Sequence, residues 1–211
     1  MWLEEFSKVP RPSFLEETTI RIEDVRDFTW KDENASARWI TRTIAREDLQ
    51  RAHLVGEHLR SSGTGHVLLC FETTLDPICV SIEARRKRNE RYSSLKGLFN
   101  AYELIYQYGS ARDVIGKRLD RGSDLDVCEL ILTEDERWEL FASIARAAQR
   151  NRDEPARYHT LKRNCLTELF AHLPDAPRPP ILPRSAGPLL VARGRAHPCD
   201  IFDAEHPPPF V

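Results

Sequence analysis

Cys165 is the residue best placed to act as a nucleophile, because it opens a short amphipathic helix. Asn164 is a strong helix N-cap, and the apolar residues after it recur at helical spacing as far as Pro174, where the helix must end. A cysteine in the first turn faces unpaired backbone N–H groups and the positive end of the helix dipole, which favour a thiolate. The alternative is a buried, unreactive cysteine, the commoner situation for a free thiol.

A thiol nucleophile also needs a base within hydrogen-bond reach and a polar group that orients this base. His66 opens a predicted strand over residues 66–72, and a second strand follows over residues 78–85. Ser81 and Glu83 lie on the second strand and are the candidate orienting residues. Glu83 is the first choice and Ser81 the second, because a carboxylate both fixes the imidazole tautomer and stabilises the imidazolium.

Several short blocks accompany these residues along the chain. They are Ser81-Ile82-Glu83-Ala84-Arg85, Glu90-Arg91-Tyr92-Ser93, Tyr102-Glu103-Leu104-Ile105-Tyr106, Arg112-Asp113-Val114-Ile115 and Tyr158 with Asn164-Cys165. In order and spacing, together with the strand of His66, they resemble the Lnb-like N-terminal periplasmic domain family over roughly residues 19 to 173. The order of His66 before Cys165 is also similar to the circularly permuted papain-like enzymes, such as the lecithin:retinol acyltransferase group.

The resemblance implies an α+β fold of the permuted papain-like kind, with an antiparallel sheet, a few helices and the histidine strand before the cysteine helix. It implies a thiol acyltransferase that modifies bacterial lipoproteins. An acyl chain would leave a phospholipid, rest on Cys165 as a thioester and pass to the lipoprotein's N-terminal amine or a similar acceptor. It also implies a location in the bacterial periplasm or cell envelope and peripheral contact with a membrane.

Three further residues are candidates for contacting the substrate: Asn164, Tyr158 and Arg85. Tyr158 could place a hydroxyl near the site or simply pack as an aromatic ring. Arg85 shares the face of Ser81 and Glu83 at a period of two, so it could instead pair with a carboxylate inside the sheet. Glu103, in an otherwise apolar strand, is expected to pair with Arg85 or Arg118. The basic run over residues 85–91 is either a solvated loop or a surface for headgroup phosphates.

Two other classes of function stay open. A papain-like amidase, peptidase or lipid hydrolase would use the same cysteine and histidine, and a peptidase would need a peptide-sized groove where an acyltransferase needs an apolar slot. A non-catalytic binding domain of the same fold is the third interpretation, although His66, Asn164 and Cys165 are present together.

Composition sets looser bounds. The chain has 211 residues, of which 41% are hydrophobic and 30% charged, as in globular proteins. The net charge of −2 disfavours nucleic acid as a partner. The sequence has no signal peptide and no apolar run long enough to span a bilayer, so we expect a soluble chain. The five cysteines match no zinc motif, so we expect neither a metal nor another cofactor.

The predicted organisation is a flexible leader over residues 1–17, a catalytic domain over 18–173 and an extended or disordered proline-rich tail over 174–211. Within the domain, residues 113–119 are predicted to form a strand, and residues 133–150 a capped amphipathic helix. Cys70, Cys79 and Cys128 are expected to be packed side chains in strands.

Overall fold

The computed structural model describes residues 1–31, 34–58 and 65–211, which form an α+β fold. The strands are β1 (Arg11–Glu16), β2 (Thr19–Arg26), β3 (Thr29–Lys31), β4 (Asn34–Ser36), β5 (Trp39–Ala45), β6 (Leu49–His58), β7 (Gly65–Thr73), β8 (Ile78–Arg85), β9 (Glu103–Ser110), β10 (Asp124–Glu129) and β11 (Asp200–Phe202). The helices are α1 (Ser94–Leu98), α2 (Ala111–Asp120), α3 (Glu134–Asp153), α4 (Cys165–His172) and α5 (Ala186–Ala192).

One large sheet has the order β1-β2-β9-β8-β7-β6-β10-β11, and β5 pairs with β2 beside this path. Its pairings are antiparallel except that of β2 with β9. β3 and β4 form a separate hairpin. Strands β7 and β8 lie in the middle of the sheet, and the histidine strand and its neighbour are therefore held on both sides.

The sheet carries a core on each face because side chains alternate along β7. Val67 and Leu69 belong to the core shared with α3 and α4, whereas Leu68 and Cys70 belong to the core shared with α2. The predicted capping box begins α3, where Thr133 accepts a hydrogen bond from the Glu136 N–H. None of the helices in the described ranges is both long and apolar enough to cross a bilayer.

Residues 113–119 are helical, so the predicted strand is wrong there. They belong to α2, in which Val114, Ile115 and Leu119 are buried against the sheet and Arg118 points to the same side. The spacing of these positions fits a period of 3.6 residues rather than the alternation of a strand. This correction matters for the site, because it brings a cation from α2 to the residues around His66.

Both ends of the chain are folded, in contrast to the predicted leader and tail. At the N-terminal end β1 pairs with β2, and the side chain of Phe6 is buried. At the other end α5 packs Leu190 into the core, and β11 pairs with β10. A disulfide joins Cys128 to Cys199, so Cys128 is buried in a strand as expected but is bonded rather than free. It fastens the tail to the sheet, where burial and pairing outweigh the extended preference of its prolines.

Separating Cys128 from Cys199 should lower the free energy of unfolding. The bond closes a sequence separation of 71 residues, for which the lost entropy of the unfolded chain corresponds to roughly 4 kcal/mol. Urea unfolding of the C128S/C199S double variant, followed by circular dichroism, measures this difference. A reducing agent should weaken the native protein by a similar amount and leave the variant unchanged. Equal stabilities of the two oxidised proteins would contradict the prediction.

Candidate active site

His66, Ser81 and Glu83 meet at the end of the sheet where β7 begins and β8 ends. The pairing of Leu68 with Ser81, continued by two residues, brings Glu83 opposite His66. His66 Nε2 lies 2.7 Å from Ser81 Oγ and 3.3 Å from Glu83 Oε1, and Ser81 Oγ donates to Glu83 Oε1 at 2.7 Å. The serine hydroxyl therefore links the imidazole to the carboxylate, which itself also reaches the ring.

Cys165 is the first residue of α4, and Asn164 determines how the helix begins. The Asn164 side chain accepts hydrogen bonds from the N–H groups of Leu166 and Thr167 at 2.9 and 3.0 Å, and its Nδ2 donates to Thr160 O at 2.6 Å. The predicted N-cap is thus present and tied to the preceding loop. It holds the Cys165 thiol at the positive end of a helix that is fixed to the core by Leu169 and its neighbours.

The structure brings the thiol of Cys165 and the imidazole of His66 to the same cavity, close enough for the two side chains to interact electrostatically. The Nε2 atom of His66 is engaged by Ser81 Oγ at 2.7 Å, so Nδ1 is the ring nitrogen available to a further partner. Burial lowers the pKa of His66, but the charge of Glu83 and the contact with Cys165 raise it more, so it lies above its ordinary value. Such an environment favours the protonated imidazolium form of His66.

Glu57 and Arg118 complete the site and were not predicted from the sequence. Glu57 pairs with His66 across β6 and β7, so a carboxylate flanks the histidine on each neighbouring strand. Arg118 Nε lies 3.2 Å from Glu57 Oε2, and its Nη2 lies 3.4 Å from Glu83 Oε1. Burial alone would raise the pKa of Glu83. The charges of His66 and Arg118 lower this pKa by more, so it lies well below its usual range. Glu83 is therefore ionised beside the imidazole.

These candidate site residues open into a cavity of about 570 Å³. His66, Glu83 and Cys165 line it, and six Arg or Lys side chains with two further Glu side chains make much of the remaining lining charged. Three lining residues with large solvent exposure, Leu161, Ile181 and Leu182, form an apolar rim at its mouth. Cys165 itself is only 6% exposed but is reached through this cavity.

The model of the family described as the Lnb N-terminal periplasmic domain matches residues 35–192, more than half of the chain. The chain belongs to this family. The match extends beyond the predicted boundary at residue 173 and includes α5, so the domain continues into the segment predicted as a tail. The periplasmic description agrees with the disulfide, since such bonds persist in oxidising compartments. No curated protein and no solved structure matches the chain.

Of the three residues predicted to contact the substrate, Tyr158 and Asn164 line the cavity, whereas Arg85 is engaged elsewhere. Tyr158 lines the cavity, and its hydroxyl lies 3.2 Å from that of Tyr92. Asn164 also lines the cavity, but its side-chain atoms are engaged in capping, which makes it a positioning residue. Arg85 binds Glu103 at 3.3 Å and the Phe6 carbonyl at 3.0 Å, so it is directed into the sheet and the N-terminal segment. The predicted pairing of Glu103 with Arg85 is confirmed.

Glu83→Gln and Ser81→Ala should distinguish the two candidate orienting residues. E83Q removes the largest influence that raises the pKa of His66, so alkylation of Cys165 by iodoacetamide at neutral pH should slow at least about tenfold. S81A should slow it less, because Glu83 Oε1 already lies 3.3 Å from His66 Nε2. Mass spectrometry of the Cys165 peptide measures the rate. Glu103→Gln changes a strand carboxylate outside the site and is the matched control. Slower alkylation of Cys165 in S81A than in E83Q would assign the orienting role to Ser81.

Glu57→Gln should change how stability depends on pH. Burial raises the pKa of Glu57, but Arg118 and Arg121 lower it more, to about 2 from 4.5. The ionised carboxylate therefore stabilises the fold above pH 4.5, and the contribution is lost as the pH falls towards 2. The pKa shift of Glu57 is equivalent to about 3 kcal/mol of unfolding free energy. The stability difference between wild type and variant should therefore shrink greatly from pH 7 to pH 3. Urea unfolding at both pH values measures it, and a constant difference would refute the assignment.

Proposed function

We propose that this domain is a cysteine-dependent acyltransferase that moves an acyl chain from a phospholipid to an amine, such as the N-terminal amine of a lipoprotein. The observation that carries the proposal is the contact between the Cys165 thiol and the His66 imidazole inside a cavity with an apolar rim. Ser81 and Glu83 complete the hydrogen-bonded chain behind the histidine. The proposed fold relationship is a permuted papain-like one, because the histidine strand precedes the cysteine helix.

In the first half-reaction His66 takes the proton of Cys165, and the thiolate attacks the ester carbonyl of the phospholipid. A C–S bond forms, and the developing oxyanion is stabilised by the Cys165 backbone N–H at the start of α4. The C–O bond of the ester then breaks, and the imidazolium returns its proton to the leaving alkoxide. A lysophospholipid departs and a thioester remains on Cys165.

In the second half-reaction the neutral imidazole takes a proton from the incoming amine as this attacks the thioester carbonyl. The C–N bond forms, the C–S bond breaks, and the proton passes back to the sulfur, which regenerates the thiol. Water in place of the amine would give hydrolysis by the same residues. Access of the acceptor therefore decides between transfer and hydrolysis.

The rim supports an acyl substrate rather than a peptide. Ile181 is 87% exposed and Leu161 is 62% exposed, although both are large apolar side chains beside the cavity. Exposed apolar side chains grouped at a binding site mark contact with an apolar ligand or surface. An acyl chain that entered beside these residues would approach Cys165, because Leu161 belongs to the short loop that precedes the N-cap Asn164. The same rim would provide peripheral contact with a membrane.

Incubation with phospholipid vesicles should leave one acyl chain on Cys165, detected by mass spectrometry with release of lysophospholipid. Cys165→Ala should give neither product while its circular dichroism stays native. Cys70→Ala, at a buried free cysteine, is the matched control and should retain the adduct. Addition of a lipopeptide with a free N-terminal amine should convert the adduct into an amide. Absence of adduct and lysophospholipid would refute the proposal, and cleavage of peptides instead would support an amidase.

A further inference from the structure

The first six residues are fastened across one end of the catalytic cavity. The guanidinium of Arg85 donates to Phe6 O at 3.0 and 3.1 Å and lies 4.1 Å from the centroid of the Trp2 ring. Phe6 is buried, and it lines the cavity together with Glu5. The contacts of the following basic residue, Arg86, show the same pattern, since it binds Glu5 rather than standing free in solvent.

Three cations from separate elements converge on the Glu5 carboxylate. They are Arg26 of β2, Arg86 after β8 and Lys117 of α2, and together we call them the cationic wall. Glu5 lies 3.8 Å from Arg26 and 3.4 Å from Arg86 and also binds Lys117. Arg26 is held in addition by Asp113 at 2.6 and 3.1 Å. Within the described ranges Glu5 is the only carboxylate that forms an ion pair with Arg86 or Lys117.

We propose that the cationic wall is a subsite for a phosphate group of the substrate, held by the Glu5 carboxylate until the phosphate replaces it. With Glu5 in place, the three cations face two carboxylates, Glu5 and Asp113. Buried cations without a partner are costly, so an anion must occupy the wall at all times. A phosphodiester carries one negative charge and can take the place of Glu5 without changing the balance.

Phosphate suits the wall better than a second carboxylate does. Its oxygens point in several directions, whereas the three cations reach the cavity from β2, from the segment after β8 and from α2. A guanidinium presents paired donors that fit phosphate oxygens, and an ammonium acts as a point charge beside them. The wall therefore offers more donors than the two oxygens of Glu5 can use.

The position of the wall also fits an ester donor, a step that rests on the proposed function. Glu83 interacts electrostatically with Arg26 and Lys117 on one side and with His66 on the other. The wall is therefore next to the catalytic strand residues, while Leu161 of the rim belongs to the loop that leads into Cys165. A glycerophospholipid has the same order of groups: phosphate, ester carbonyl, acyl chain.

Calorimetric titration with inorganic phosphate, in a C165A background at constant ionic strength, tests the subsite without requiring catalysis. Glu5→Gln should raise the affinity for phosphate at least about tenfold, because the competing buried charge is gone. Glu4→Gln removes the same charge from the neighbouring residue, whose side chain is 52% exposed and pairs with Arg88. This matched control should leave the affinity unchanged.

Equal phosphate affinities for the parent and E5Q would overturn the subsite, as would an equal gain for E4Q. Should E5Q fail to fold, Arg86→Ala provides a second test. The Arg86 side chain is 27% exposed, so its loss should be tolerated by the fold, and it should weaken phosphate binding at least about tenfold. An R86A affinity equal to that of the parent would also refute the proposal.

A lipid comparison in proteins that retain Cys165 distinguishes a headgroup phosphate from free phosphate. Adduct formation is measured with micelles of dihexanoyl phosphatidylcholine and with dihexanoylglycerol, which lacks phosphate. E5Q should favour the phospholipid over the diacylglycerol more than E4Q does. Phosphate binding that responds to E5Q, with no adduct from either lipid, would keep a free-phosphate subsite and reject the proposed function. Adducts with no response of phosphate binding or lipid preference to E5Q would reject the subsite and keep the function.

Discussion

The buried guanidinium of Arg118 holds this site together, because it lies between the two carboxylates that flank His66. Buried charges of either sign are costly without a partner, so the buried Arg118 depends on Glu57 and Glu83 as its counter-ions. Neither Glu57 Oε2 nor Arg118 Nε has an aligned hydrogen-bond partner in the described residues, so their 3.2 Å contact is chiefly Coulombic. Since Arg118 belongs to α2 and the carboxylates to β6 and β8, the same charges fix the helix on the sheet and the strand register around His66.

This arrangement sets an electrostatic balance at the histidine. The charge of Glu57 is shared among Arg118, Arg121 and the Ser123 hydroxyl, which donates to it at 2.7 Å. Glu83 makes only a longer contact with Arg118, at 3.4 Å. Its charge is therefore less neutralised by Arg118 and acts more strongly on the imidazole of His66. Arg118 opposes protonation of His66, whereas Glu83 and Cys165 favour it. The two flanking carboxylates thus have different roles, one structural and one directed at the ring.

Local signals in the sequence were sufficient for the parts of the site that depend on neighbouring residues. Asn164 before an apolar period located the helix that begins at Cys165, and the period of two placed Ser81 and Glu83 on one face of a strand. Glu57 and Arg118 could not be found in this way. The register of β6 against β7 does not follow from the apolar pattern of either strand. Residues 113–119 form a segment short enough to fit either a strand or a helix. The Cys128–Cys199 bond was missed because cysteine pairing does not follow from spacing alone.

The Cys165–His66 pair and the cationic wall have different relations to the family match. His66, Glu83 and Cys165 all lie within residues 35–192, as do Arg86 and Lys117. Glu5 and Arg26 lie before this range, and yet they supply the counter-ion and one cation of the wall. Cys165 and His66 therefore rest on elements that the family match covers, whereas the charge of the adjoining wall depends on how the N-terminal segment folds back. A change near Glu5 would therefore act first on the wall and reach His66 only through Glu83, which interacts electrostatically with Arg26, Lys117 and His66.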